Sequence, residues 1–218
     1  LIAGLLGWPS ERYTKEKEAI YYEKFDENEC LISISLRSKV RRIMQTVNYI
    51  RTKLPSELDG SGGGTQIPIE ILLPEKSKEI RYRIYFYHTN IEIYEVLKER
   101  LKRQRFVFPP YMGITEFLAS VDYVDEGELS KKTHKMVKLN SVCKLNEVEL
   151  DFNGSEFQYI TEKMPTGFSN DRIPRKPEEY VLEIKDNVIR VKFKDNAACY
   201  SVNYSDNDCK LTENIMFL

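Results

Sequence analysis

The sequence predicts an α+β fold, and three observations carry that expectation. An amphipathic helix with its own cap lies at 90–101. Residues 31–36 and 80–87 alternate with period two, as half-buried strands do. Beyond residue 136 the chain carries repeated short apolar runs, which suit a strand-rich second half. With 218 residues, 41% hydrophobic and 11% aromatic, the chain has enough material for one or two small domains with a core.

Taken in order, Leu1-Ile2-Ala3-Gly4-Leu5-Leu6-Gly7-Trp8 reads as a short apolar helical segment closed near Pro9. Residues 10–23 are polar and fit helix or loop. Residues 31–36 form a strand with its apolar side chains on one face. Residues 40–53 extend as a long strand or hairpin arm, with Val47 and Tyr49 on one face and Thr46 and Asn48 on the other. Asp59-Gly60-Ser61-Gly62-Gly63-Gly64 reads as a flexible loop. It is no phosphate-binding loop, because no Gly-Lys-Ser/Thr follows it. Residues 65–70 resume an extended path.

Residues 80–87 give the clearest strand. Ile80, Tyr82, Ile84 and Phe86 share one face; Arg81, Arg83, Tyr85 and Tyr87 share the other. An Arg/Tyr face can hold phosphates and stack bases, or serve as the polar outside of a sheet. Asn90 caps the following helix, whose apolar stripe is Ile93, Leu97 and Leu101. Its acids, Glu92 and Glu95, come early and its bases late, matching the helix dipole.

The basic end of that helix, 98–105, runs into Pro109-Pro110-Tyr111-Met112-Gly113-Ile114-Thr115-Glu116-Phe117. A double proline cannot continue a helix, and Gly113 permits a backbone shape that other residues resist. The chain is expected to turn sharply, display main-chain N–H groups beside positive charge, and re-enter a strand. That suits a polyanion backbone; a tight surface loop fits the same residues. After 124 the composition shifts. Residues 125–136 read as a polar connector, followed by strands at 137–139, 157–160, 180–184, 188–193 and 199–204, with a tight hairpin turn at Asp186-Asn187. The order fits a ferredoxin-like (RRM-like) domain over 1–124 that lacks its first strand, then a small antiparallel β domain over 125–218. The chain opens mid-pattern without Met, as the inside of a domain whose leading strand is missing would.

Net charge is −1, so no global basic field points to nucleic acid. The local distribution differs: residues 31–56 contain no acid, yet carry Arg37, Lys39, Arg41, Arg42, Arg51 and Lys53. An unrelieved basic run is a patch of the kind that contacts phosphates, or a solvated strand and loop. The four cysteines have no CxxC spacing, and only His88 and His134 accompany them, so no zinc site is expected and the thiols read as reduced and structural. Asp122, Asp125, Glu126 and Glu128 form an acidic cluster that can hold a divalent ion or simply be solvated. No metal or other cofactor is expected. There is no membrane-length apolar run and no signal-peptide pattern, and a cytoplasmic location is expected.

Three stretches, and a fourth near the C-terminus, together resemble one family. Leu1-Ile2-Ala3-Gly4-Leu5-Leu6-Gly7 resembles the helix start that follows the first strand in the fifth CRISPR-associated (Cas) protein family, of the RAMP superfamily. Thr65-Gln66-Ile67-Pro68-Ile69-Glu70, with Tyr82-Arg83-Ile84-Tyr85, resembles that family's central extended segment. Tyr111-Met112-Gly113-Ile114-Thr115-Glu116-Phe117 resembles its tyrosine-leucine-glycine and glutamate element, with Met112 in the leucine place. Glu162-Lys163-Met164-Pro165, then Arg172 and Tyr180, is similar to its C-terminal part, most like the type I-B branch. The family's first strand has no counterpart here, and the Gly-rich run falls where the family carries its thumb-like hairpin, here near 44–66.

The resemblance implies a subunit of a type I Cascade surveillance complex in antiviral defence. Such a subunit holds the 5′ handle of the guide RNA (crRNA), contacts the adjacent backbone subunit and the large subunit, and meets target DNA only through the complex. Gripping a bent single strand needs phosphate contacts, stacking surfaces and backbone N–H groups near a glycine. Arg37, Lys39, Arg41, Arg42, Arg51 and Lys53 are the candidates for phosphates. Tyr49, Tyr85 and Tyr111 are candidates for stacking, and the turn through Tyr111, Met112 and Gly113 supplies N–H groups. Gln45, Asn48, Thr65 and Gln66 can read base edges or sugar hydroxyls. Two alternatives stand beside this reading. One is a metal-independent endoribonuclease that processes precursor crRNA, for which His88, Tyr87 and Lys98 are the weak acid–base candidates. The other is a protein-interaction module without RNA contact.

Overall fold

The computed structural model describes residues 1–8, 21–26, 28–51, 53–133, 135–153, 157–169, 173–194 and 197–218. These are mostly strand with few helices, set in several small antiparallel sheets, which places the chain in the α+β class. Helix α1 (Ile2–Leu5) is a single turn, shorter than expected, and buries Leu5. Helix α2 (Ile91–Arg103) starts where the sequence places it: Asn90 Oδ1 accepts from the N–H groups of Glu92 at 2.9 Å and Ile93 at 3.3 Å. It ends at Gln104, in the left-handed region at φ 53°. Its Leu97 packs on Leu5 and Leu6, with Phe86, Ile93, Leu101 and Val121 around them.

Strand β1 (Cys30–Leu36) pairs antiparallel with β4 (Tyr82–His88), Ile34 opposite Ile84. Between them in sequence lies a second antiparallel pair, β2 (Val40–Ile50) and β3 (Gly64–Pro74). The second half contains β5 (Glu128–Lys132), β6 (Met136–Leu139), β7 (Cys143–Lys144), β8 (Val148–Leu150), β9 (Tyr159–Pro165), β10 (Pro177–Glu183), β11 (Ile189–Phe193), β12 (Cys199–Asp206) and β13 (Cys209–Ile215). They form three three-stranded sheets, ordered β7-β10-β9, β6-β11-β8 and β13-β12-β5. Leu139, Cys143, Val148, Val181, Ile189, Val191, Cys199 and Met216 fill the core between them.

Three local expectations are corrected. The 125–136 connector contains a strand, because β5 adds to the edge of β12 with Ser130 opposite Ser201. The strand expected after the 113 turn is absent: 119–127 carries no ladder partner among the described residues. Asp186-Asn187 is not a hairpin, since β10 and β11 belong to different sheets. The buried Glu183 carboxylate accepts the N–H groups of Gln158, Lys185 and Asn187 at 3.1, 2.9 and 2.6 Å, and so shapes a corner. The tight hairpin is at Asn207-Asp208, whose φ values of 48° and 65° are those of the mirror-image turn that suits twisted strands.

The halves on either side of the expected 124/125 boundary are stitched along β1. Val142 N–H donates to Ile34 O at 2.8 Å, Leu218 N–H to Ile32 O at 3.0 Å, and Val40 N–H to Ile184 O at 3.0 Å. Leu36, Val40 and Ile184 form one shared apolar cluster; Tyr85 packs against Val202, Tyr204 and Ile215 in another. Cys30, Cys143 and Cys199 are buried free thiols. Burial pushes Cys30 up to about 11, and burial followed by the Glu147 charge pushes Cys143 up to about 12. Such thiols are inert packing groups. Among the described residues no helix is long and apolar enough to cross a membrane.

Candidate nucleic-acid interface

The basic run of the sequence becomes an arm. Strands β2 and β3 pair over eleven residues each, from Val40 opposite Pro74 to Ile50 opposite Gly64, a reach of roughly 33 Å. Val40 at the root is buried, while most residues beyond it are exposed. The Val, Ile, Thr and Tyr content favours extended backbone. Pro68 is tolerated because the odd-numbered pairs carry the ladder, as Arg51 N–H to Gly63 O at 3.3 Å and Glu75 N–H to Lys39 O at 2.9 Å show. Its missing N–H therefore falls on the outer edge. The glycine run closes the tip. There Glu57 accepts from Leu54 N–H at 3.2 Å and faces Arg51 Nε at 3.6 Å. A Cβ at Gly62 would lie 2.9 Å from the Glu57 side chain, so the run packs on that residue.

The arm's two faces differ. Arg41, Ile43, Gln45, Val47 and Tyr49 lie opposite Leu73, Ile71, Ile69, Ile67 and Thr65, giving a largely apolar face with a cation at its root. The other face carries Arg42, Met44, Thr46, Asn48 and Ile50. Near the tip Asn48 pairs directly with Gln66 on this face, while Thr65 pairs with the exposed Tyr49 on the opposite one. Gln45 Nε2 donates to Thr46 O at 3.2 Å.

The six candidate cations divide. Arg42 is held by Glu162 at 2.7 Å and Glu70 at 3.3 Å, and Arg51 faces Glu57. Arg37 is not on the arm: it donates to Glu213 and, at 2.9 Å, to the Tyr85 hydroxyl. Arg41, Lys53 and Lys39 have no ion pair among the described residues, although the Lys39 charge adds to the Lys185 hydrogen bond and charge that, against an opposing desolvation, hold the Glu75 carboxyl low. Tyr85, expected as a stacking surface, is largely buried and donates its hydroxyl to Glu213. Burial, then that bond, raises its pKa. Glu213, Tyr204 and Asp206 carry no signal in their own stretch of sequence; they appear only because β12 and β13 cover the Arg/Tyr face of β4.

The turn at 111–113 closes on itself. Tyr111 bridges Leu118, Met112 N–H donates to Phe117 O at 2.9 Å, and Ala119 N–H to Pro110 O at 3.0 Å. Gly113 sits at φ 83°. The N–H groups of Gly113, Ile114, Thr115 and Glu116 have no acceptor among the described residues. Tyr111 and Met112 are exposed at 45% and 44%. No hydrogen bond or ion pair joins this turn to the arm among the described residues. The neighbouring helix end is largely committed: Arg100 donates to Leu5 O at 3.2 Å, Lys102 lies over the Tyr123 ring, and Arg103 pairs with Glu99 at 2.8 Å.

The acid–base candidates are placed as follows. His88 is buried, and its Nδ1 accepts the Asn90 N–H at 2.9 Å. Its Nε2 therefore carries the proton and donates to Lys24 O at 2.7 Å, so both nitrogens are used within the fold. Lys98 binds Glu95 at 2.7 Å and Glu126 at 3.1 Å, bonds that raise its pKa, away from what a base needs. Tyr87 is exposed. His134 and Arg172 lie outside the described residues. The acidic cluster is dispersed, with Asp125 accepting Ser205 N–H at 2.7 Å and Glu126 held by Lys98 and Tyr94. Comparison with known family models, curated proteins and solved structures finds no match to this chain.

Proposed function

We propose that the chain is a non-catalytic RNA-binding subunit that holds the 5′ handle of a guide RNA in a type I Cascade complex, with the arm as its grip. The observation that carries this reading is the arm itself: a long, mostly exposed ribbon, with Arg41, Lys53 and Lys39 making no ion pair among the described residues, and Tyr49 exposed opposite Thr65 with Asn48 and Gln66 on the other face. Cations free of internal partners are the ones that can neutralise phosphates, and an exposed ring can stack a splayed base. The N–H groups at 113–116, which have no acceptor among the described residues, offer a second anion contact. The order α1, β1, arm, β4, α2 supports a ferredoxin-like reading of residues 1–124 that lacks both its first strand and the strand expected after residue 113. Membership of the fifth Cas family, a role in antiviral defence, a cytoplasmic setting, and contacts to the backbone and large subunits and through them to target DNA, belong to the same proposal.

Photocrosslinking repeat-derived single-stranded RNA to the full chain tests it. Adducts within 39–53 and 111–113 are expected; adducts confined to the C-terminal sheets would sink it. A second reading, a protein-interaction module, draws on the apolar arm face built around Ile43, Val47 and Ile67. Binding of partner subunits without any RNA adduct would favour it. The endoribonuclease reading has less support, because both His88 nitrogens serve the fold.

A further inference from the structure

Helix α2 ends in a turn that brings the chain back beside it. Gln104 is left-handed, and the N–H groups of Gln104 and Arg105 donate to Leu101 O at 3.2 Å and Arg100 O at 3.1 Å. Phe106 then packs into the cluster of Leu5, Leu6 and Leu97. Residues 105–107 and the outer face of the helix enclose a groove of about 560 Å³ that reaches from Arg103 back to Glu95. Eight steps of helix make it about 12 Å long. That length takes about three or four residues of extended chain.

The floor of the groove is apolar and the rim is charged. Val96 and Val107 are 39% and 58% exposed beside Phe106. Both acids of the rim are taken within the helix, Glu95 by Lys98 at 2.7 Å and Glu99 by Arg103 at 2.8 Å. The other two cations are not balanced in this way. Arg100 Nη1 donates to the neutral Leu5 O at 3.2 Å, and neither Arg100 nor Arg105 has an ion pair among the described residues. Two guanidinium groups thus stand without a carboxylate above exposed apolar side chains.

This combination selects the occupant. A phosphate chain would meet Glu95 and Glu99 on one wall and bare valines on the floor. A second copy of the helix face would bring the same unbalanced arginines to the contact. A purely apolar strand would cover the arginines and leave them without a counter-charge. An apolar side chain beside a carboxylate satisfies floor and rim together. The length of the groove suits a segment that passes through, so the carboxylate is that of a side chain. We propose that the groove binds an extended segment of a partner protein that carries a large apolar residue next to a Glu or Asp, with the carboxylate on Arg105 and Arg100. The inference does not depend on the RNA-binding reading.

The test is fluorescence anisotropy of a labelled probe peptide, Gly-Ser-Leu-Phe-Glu-Leu-Ser-amide, titrated with the full chain to millimolar concentration. Replacing the peptide's Glu by Gln should weaken binding by at least about tenfold, because a charge-assisted contact is lost. Arg105→Glu, at a side chain with no partner among the described residues, should leave the circular dichroism unchanged and weaken binding of the Glu peptide as much. It should then prefer a peptide with Lys in the Glu place. Equal affinity for the Glu and Gln peptides, undiminished binding by Arg105→Glu, or no binding at all overturns the proposal. Displacement of the peptide by an equimolar amount of single-stranded RNA overturns it in favour of nucleic acid. A doubled solution mass that Arg105→Glu abolishes overturns it in favour of a second copy.

Discussion

Arg37 and Glu213 lie 176 residues apart in sequence, yet the guanidinium donates directly to the carboxylate. Tyr85 donates its hydroxyl to the same group and meets Tyr204 edge-on at 6.3 Å between ring centres. Beside them Arg83 pairs with Asp206 and lies over the Tyr204 ring. The Arg/Tyr face of β4, which looked available for phosphates and bases, is thus the polar seam that fastens β1–β4 to β12–β13.

The seam makes stability acid-sensitive. Burial favours neutral Glu213, but hydrogen bonds from Arg37 and Tyr85 and the guanidinium charge outweigh it and hold the carboxyl below the usual glutamate range. A carboxylate depressed in the folded state adds stability above its unfolded pKa, and that stability is lost as pH falls through the folded value. The Tm gap between the native chain and Glu213→Gln should therefore be constant at neutral pH and shrink below about pH 4. A gap that does not change with pH would contradict this.

Removing one partner of the seam should be costly. Arg37→Ala leaves a carboxylate with only 9% of its side chain exposed and no counter-charge, at a cost of about 2–4 kcal/mol in urea unfolding. Arg41→Ala, on the exposed arm, should change stability by less than about 0.5 kcal/mol. Equal effects would mean that the two arginines are misassigned.

His88 should prove structural. His88→Ala empties a buried ring site and takes away the partner of the Asn90 N–H and the Lys24 carbonyl, so stability should drop by about 1–3 kcal/mol. RNA affinity, measured below the lowered Tm, should be unchanged. Discrete cleavage of repeat RNA by the native chain without metal, lost in the variant, would reverse this assignment.

Gly113→Ala isolates backbone strain, because a Cβ there would touch nothing within 4 Å while φ is 83°. A destabilisation of about 1–2 kcal/mol is expected from the left-handed conformation alone. If the turn's N–H groups contact phosphate, RNA affinity falls with it; circular dichroism and anisotropy separate the two effects.

Local signals were legible in the sequence, and long-range pairing was not. Asn90, the Ile93-Leu97-Leu101 stripe and the alternation at 31–36 each act within a few residues, and the corresponding elements are present. The arm was visible as a long acid-free extended run. The partners of its cations were not, because Glu162 reaches Arg42 from another sheet. Asp186-Asn187 looked like a hairpin by composition, but Glu183 captures the local N–H groups and redirects the chain. The true hairpin residues, Asn207-Asp208, carry the same chemistry, and what separates the two sites is which strands find partners.

The central claim is that Arg41 and Lys53, which make no ion pair among the described residues, hold an RNA backbone. Its most direct measurement is the salt dependence of single-stranded RNA affinity for the native chain and for Arg41→Glu/Lys53→Glu, followed by fluorescence anisotropy. The account predicts at least about tenfold weaker binding and a log–log slope shallower by about 1.4, since each lost phosphate contact removes about 0.7. Identical affinity and slope for the two proteins would contradict it.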